Sequence, residues 1–240
     1  MNGAVFEASE WRWVYEKSPR PHPAAQMAID AAVMDSVMRG AAPSTVRLYC
    51  WDRRIVTVGR MQDIGDARRT YPGDILVRRM TGGNAVVHGD DLTLSVIAPQ
   101  ADLKKVAEGG GVLATHDVVV RGLERALRRI GVATIRGCDE RGPRGIVDCF
   151  SHVARCDLRS EATGKKLVGS AQLRKNGIVL QQMSLRPPLG IDPHGKPFIR
   201  ALLEEMTSAL KVATWQFAPV REEEEAQAAL LADSWEIYGF

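Results

Sequence analysis

The sequence predicts an α/β (α+β) domain with a largely antiparallel or mixed central sheet flanked by helices. Three observations carry that expectation. Short β-type apolar runs recur in hairpin-like pairs rather than in strict strand–helix–strand alternation. Longer stretches separating them carry helical periodicity. No repeat, low-complexity tract or linker divides residues 1–240, so a single domain is expected over the whole chain.

Taken in order, residues 24–39 form the first helix, with Met27, Ala31, Met34 and Met38 on one face and Gly40 closing it. Thr45–Cys50 and Ile55–Val58 follow as strands joined by the charged turn Asp52-Arg53-Arg54. Ile75–Arg79 and Ala85–Val87 flank a Gly82-Gly83 turn. In Leu92–Ile97, Leu92, Leu94 and Val96 alternate with Thr93 and Ser95, the pattern of a half-buried strand. Beyond Gly109-Gly110-Gly111, residues 115–130 form a second helix. Val119, Leu123, Ala126, Leu127 and Ile130 make its apolar stripe, and Arg125, Arg128 and Arg129 are left for solvent. Cys138–Gly145 is a loop rich in glycine, proline and charge that leads to a strand-like run, Ile146–Phe150. Further strands are expected at Arg155–Arg159, Lys166–Val168 and Ile178–Gln181. A helix over about 197–212 follows, and the acidic run Glu222–Glu225 opens a last short one, where negative charge suits the helix dipole.

Composition narrows the function classes. The 32 Lys and Arg against 29 Asp and Glu leave a net charge of +3, too little to announce a nucleic-acid partner. Pairs such as Arg68-Arg69, Arg78-Arg79 and Arg128-Arg129 are ordinarily solvated surface, although a mildly basic face suits an acidic protein partner. Neither a secretory apolar segment nor a membrane-spanning run is visible, which points to the cytoplasm. Cys50, Cys138, Cys149 and Cys156 lack zinc-ligand spacing, so reduced thiols and no metal are expected.

Two passages carry candidate chemistry. In Arg78–His88, an isolated Gly82-Gly83 is most simply a turn needing positive φ. Arg79 and His88 beside it point to a substrate site, because backbone N–H groups and a cation can converge there on an anionic or carbonyl-bearing ligand, and Asn84 in the turn is counted with them. It is not a phosphate loop, lacking Gly-Lys-Ser/Thr. The second passage runs from Cys149 to Gln172. A lone cysteine is most often a small buried hydrophobe; as a nucleophile, Cys149 needs a nearby cation such as Lys166, or a histidine such as His152 or His88. Lys166 alone is equally a charged strand end. The small residues Gly169, Ser170 and Ala171 beside it would admit a substrate closely. His22, His116 and His194 are expected to be ordinary surface or partly satisfied residues.

Read together, these pieces resemble the lipoate–protein ligase A and octanoyltransferase family, related in fold to biotin protein ligases. The likeness runs from Trp11 to about Leu185 and rests on Met27-Ala28-Ile29-Asp30, Val58-Gly59-Arg60-Met61-Gln62, Arg78–His88 with Asp91–Ser95, and Gly164–Gln172. It implies a biotin/lipoate ligase-like fold whose sheet holds an acyl chain in an apolar tunnel. It also implies attachment of an octanoyl or lipoyl group to a lysine of a lipoyl domain or H-type protein. Cysteine-dependent members take the acyl group from acyl carrier protein and need no cofactor; ligases use ATP and magnesium through an acyl-adenylate. Asn84 after the glycine pair, the Asp91-Leu92-Thr93 segment and Cys149-Phe150 favour the transferase branch, with Lys166 at the position of the family lysine. A non-catalytic binder of lipoyl groups is the third expectation. One departure stands out: the family's Leu-x-His-Gly-Ser-like segment is here Leu180-Gln181-Gln182-Met183-Ser184, which implies an altered acyl or acceptor site.

Overall fold

The computed structural model describes residues 10–108, 111–137, 147–188 and 190–238. Its elements in chain order begin with β1 (Glu10–Glu16), α1 (Ala25–Met38), β2 (Ser44–Tyr49), β3 (Ile55–Val58) and α2 (Ile64–Thr70). Next come β4 (Leu76–Arg78), β5 (Val86–His88), β6 (Leu92–Pro99), α3 (Gln100–Val106), α4 (Gly111–Arg129) and β7 (Thr134–Arg136). The chain continues through β8 (Leu158–Ser160), β9 (Lys166–Lys175), β10 (Ile178–Leu185), α5 (Lys196–Ala209), β11 (Thr214–Phe217) and α6 (Glu222–Asp233). The predicted Cys138–Gly145 loop, Ile146 and Gly109-Gly110 lie outside the described residues.

A mixed eight-stranded sheet runs β11-β1-β2-β6-β10-β9-β8-β7. β11, β1 and β2 are mutually parallel, and every pairing from β2 onward is antiparallel. A smaller sheet holds β5, β3, β4 and a short C-terminal strand, Ile237–Tyr238. The mixed sheet agrees with expectation, but the pairings differ. β2 and β3 sit in different sheets, so Asp52-Arg53-Arg54 is a crossing rather than a hairpin turn. β4 and β5 both pair with β3, one parallel and one antiparallel, and the glycine pair therefore crosses the end of β3. β9 and β10 do form a tight hairpin, through Asn176-Gly177 with φ of 49° and 79°. Those positive values are what Asn-Gly accommodates best.

Helices cover both faces of the large sheet. On one, α4 and α5 press Leu123, Leu127, Leu202 and Met206 onto Val96, Val168 and Met183. Arg125, Arg128 and Arg129 face solvent as expected, and α4 starts four residues earlier than predicted. On the other face α1 lies between the sheet and α6. The single stripe predicted for α1 is therefore too narrow: Ala31 and Met38 are half-buried, whereas Ala28, Ile29, Ala32, Val33 and Val37 are buried along with Met27 and Met34.

Two buried arginines lie in the strands. Arg47 of β2 is fully buried and held by Asp30 at 2.8 Å and Glu16 at 2.6 Å. Arg12 of β1 forms a two-pronged pair with Glu224 of α6, at 2.8 and 2.9 Å. Such pairing offsets the cost of taking each charge out of water.

Candidate active site

Cys149 does not lie within a strand, as the expected run Ile146–Phe150 would have it; it opens a 3-10 turn, Cys149–Ser151, capped by the Asp148 side chain accepting from Phe150 N–H at 3.0 Å. The segment is stitched to the residue after the glycine passage. Ala85 N–H donates to Val147 C=O at 2.8 Å, and Cys149 N–H donates to Ala85 C=O at 2.7 Å. Backbone pairing thus holds the thiol beside the glycine turn, although Gly83 and Cys149 are far apart in sequence.

Arg79 fixes that turn from beneath. Its guanidinium donates to the carbonyls of Gly82 at 2.6 Å, Asn84 at 2.8 Å and Thr57 at 3.1 Å. Gly83 takes φ of 87°, while Gly82 does not need a positive value. A Cβ on Gly59 would stand 1.8 Å from the Gly83 carbonyl oxygen, so this approach admits only glycine. Arg79 is buried and has no carboxylate partner among the described residues. Burial pulls its pKa down to about 10, with the nearby Cys149 sulfur opposing that shift.

Lys166 begins β9 and turns inward. Its ammonium lies 3.3 Å from Cys149 Sγ, 2.8 Å from Cys149 C=O, 3.0 Å from His152 C=O and 2.7 Å from Asp157 Oδ2. A Cβ on Gly169 would come within 3.3 Å of both Cys149 Sγ and Lys166 Cε, so the missing side chain makes room for the pair. Phe150 closes one side, stacked under the Arg186 guanidinium at 3.6 Å.

Arg79, Gly83, His88, Cys149, Gly169, Ser170 and Ala171 line one cavity, together with buried side chains such as Thr57 and Tyr49. His88 is held on both ring nitrogens: Nδ1 lies 2.8 Å from Asp91 and Nε2 lies 2.9 Å from the Thr57 hydroxyl. The ring stacks on Trp51 at 4.3 Å. Burial alone would raise the Asp91 pKa, but the His88 ring and the Ser184 hydroxyl bring it down to about 2. The departure noted at Gln182 is placed here too. Its amide donates to Asp30 at 2.7 Å and its oxygen accepts from Thr81 at 2.7 Å, tying the glycine passage to the buried Asp30–Arg47 pair.

The Ser170 hydroxyl points away from the cavity that the residue lines. Strand alternation turns Gly169 and Ala171 toward the cavity and sends the Ser170 side chain through to α4. There its hydroxyl meets His116 Nε2 at 3.3 Å and accepts from Gln181 at 3.0 Å. His116, predicted to be ordinary, is buried. Burial first, then the cations of Arg136 and Arg174, push its pKa down to about 4. A histidine neutral in the fold and charged when unfolded stabilises fully above its unfolded pKa, and that contribution disappears as pH falls toward the folded value. Stability should thus drop by roughly 3 kcal/mol between about pH 6.5 and 4. Urea unfolding across that range checks it, and His116→Gln should flatten the slope.

Sequence reasoning missed Asp157, Thr57 and Thr81. Asp157 lay within the expected strand Arg155–Arg159, which is formed only from Leu158, and only its proximity in space to Lys166 marks it.

The fold and this site define a class: an α/β domain presenting a thiol in a crevice beside a glycine turn, with a buried ammonium behind the sulfur. The model of the lipoyl protein ligase A/B catalytic domain matches residues 22–205, and the chain belongs to that family. It is 36% identical over 208 residues to octanoyltransferase LipM of Exiguobacterium sibiricum, covering 81% of this chain and 72% of that protein. It is 34% identical over 195 residues to octanoyltransferase LipM of another Exiguobacterium, covering 75% and 67%. A crystal structure of lipoate-protein ligase A bound with ATP superposes with a TM-score of 0.71 at 20% identity, covering 93% of this chain and 94% of that one, a likeness of fold.

Proposed function

We infer that the protein is an octanoyltransferase working through Cys149, with an acyl carrier protein as donor and a lysine of a lipoyl domain or H-type protein as acceptor. The observation that carries this reading is the buried Lys166 ammonium 3.3 Å from Cys149 Sγ, with Cys149 itself lining the cavity bordered by the glycine turn. Cys149 thiolate attacks the donor thioester carbonyl, a new carbon–sulfur bond forms, and the donor sulfur departs to take up a proton. The acceptor amine then attacks the acyl-enzyme; the amide forms, Cys149 sulfur leaves, and one amine proton is released. Lys166 faces the sulfur in both steps. Arg79, with no carboxylate of its own, adds positive charge to the cavity. Gly82, Gly83, Asn84, His88, Gly169 and Ala171 shape the space around the acyl head.

This reaction needs no cofactor, and a single domain in the cytoplasm would suffice for it. No described helix is long and apolar enough to cross a membrane. Intact-mass spectrometry tests the reading. Incubation with octanoyl–acyl carrier protein should add one octanoyl group at Cys149. Octanoylation of an added lipoyl domain only with octanoate, ATP and magnesium would instead establish a ligase.

A further inference from the structure

We propose that Asp157 is a positioning residue for the reaction, acting through Lys166 on the Cys149 sulfur. The inference rests on the transferase reading above but concerns a residue outside it. The Lys166 ammonium has three protons and four acceptors within reach: the Asp157 carboxylate, two backbone carbonyls and the Cys149 sulfur. Asp157 is the nearest of the four at 2.7 Å, and both side chains are 3% exposed. It is also the one acceptor carrying a full charge when the thiol is protonated.

The same carboxylate reaches further. Its Oδ2 accepts from Ala154 N–H at 2.6 Å, on the segment descending from the Cys149 turn. Its Oδ1 accepts from Ser170 N–H at 3.3 Å, on the strand whose Gly169 makes room for the sulfur. One buried carboxylate therefore anchors the cation, the cysteine-bearing segment and the facing strand. Asp157 neutralises Lys166 electrostatically, so the ammonium is held at the sulfur without being locked into a tight ion pair with it. That leaves the thiolate free to attack.

Two variants and one double variant test this. Asp157→Asn should lower kcat about 100-fold, with KM for the octanoyl donor changed less than about twofold. Without the carboxylate, the ammonium turns its charge on the sulfur, and the pH profile for iodoacetamide alkylation of Cys149 should move to lower pH. Asp157→Asn combined with Lys166→Met should be no slower than Lys166→Met alone, because the effect passes through the lysine. A folded Asp157→Asn enzyme with unchanged kcat and alkylation profile would overturn the proposal, as would full multiplication of the two rate losses. Should Asp157→Asn unfold, the double variant, with neither charge buried, should regain its melting temperature; failure to regain it also counts against the lysine link. Alkylation needs no acyl donor, so this arm still reports on Asp157 if the native enzyme takes no octanoyl group.

Discussion

Replacing Cys149 with alanine should abolish octanoyl transfer and leave the fold standing. In the proposed reaction the thiolate supplies the bond that carries the acyl group between donor and acceptor, and no other thiol lines the cavity among the described residues. Loss of a covalent nucleophile costs on the order of 10⁴-fold or more. The structural cost is small. The sulfur accepts one hydrogen bond, from Lys166 at 3.3 Å, and Cys149 is only half-buried. The backbone bonds that hold the turn to Ala85 do not involve the side chain. A melting temperature within about 2 °C of the parent, together with no octanoyl adduct, is the expected pair of results. A folded Cys149→Ala enzyme that transfers normally would reduce the thiol to packing.

Lys166→Met should lose both rate and stability, which separates it from the cysteine variant. Methionine keeps much of the unbranched stem but removes the ammonium. Transfer should fall about 10² to 10³-fold, the usual consequence of removing one well-placed donor. Folding should suffer as well, because Asp157 is left buried with only the Ala154 and Ser170 N–H groups. An uncompensated buried carboxylate costs about 3–5 kcal/mol. For a chain of this size that lowers the melting temperature by roughly 10 °C. Calorimetry and single-turnover acylation on the same preparation distinguish this outcome from a purely local effect.

Much of the framework was legible in the sequence because local pattern and local structure coincide there. The alternation of Leu92–Ile97 gave β6, the apolar stripe through Val119 and Leu127 gave α4, and the acidic run at Glu222 gave the start of α6. What was not legible depends on partners far along the chain. β1 was passed over because its run contains Arg12, which is tolerable only beside Glu224. β11 is exposed throughout, and its alternation of Trp215 and Phe217 with Thr214 and Gln216 spans only four residues. The division of β2 and β3 between two sheets follows from long-range pairing, which no short window contains.

The candidate site follows the same rule. The glycine passage, Cys149 and Lys166 are visible as motifs. Their meeting depends on Ala85, whose backbone carries the thiol to the turn. Ser170 lines the cavity beside Gly169 and Ala171, yet its hydroxyl points to the opposite face, because a strand sends every second side chain there and a run of small residues looks uniform in sequence.

The pairing of Arg12 with Glu224 also bears on how the molecule comes to exist. These partners lie 212 positions apart, and β1 is further bordered by β11 near the other end of the chain. As the polypeptide emerges during synthesis, its first strand must wait for nearly all the rest before its charge is matched and its outer edge covered. Such non-local closure slows folding and prolongs exposure of the apolar residues flanking Arg12. Refolding from denaturant should therefore be slow for the size of the domain, and yield should depend steeply on protein concentration.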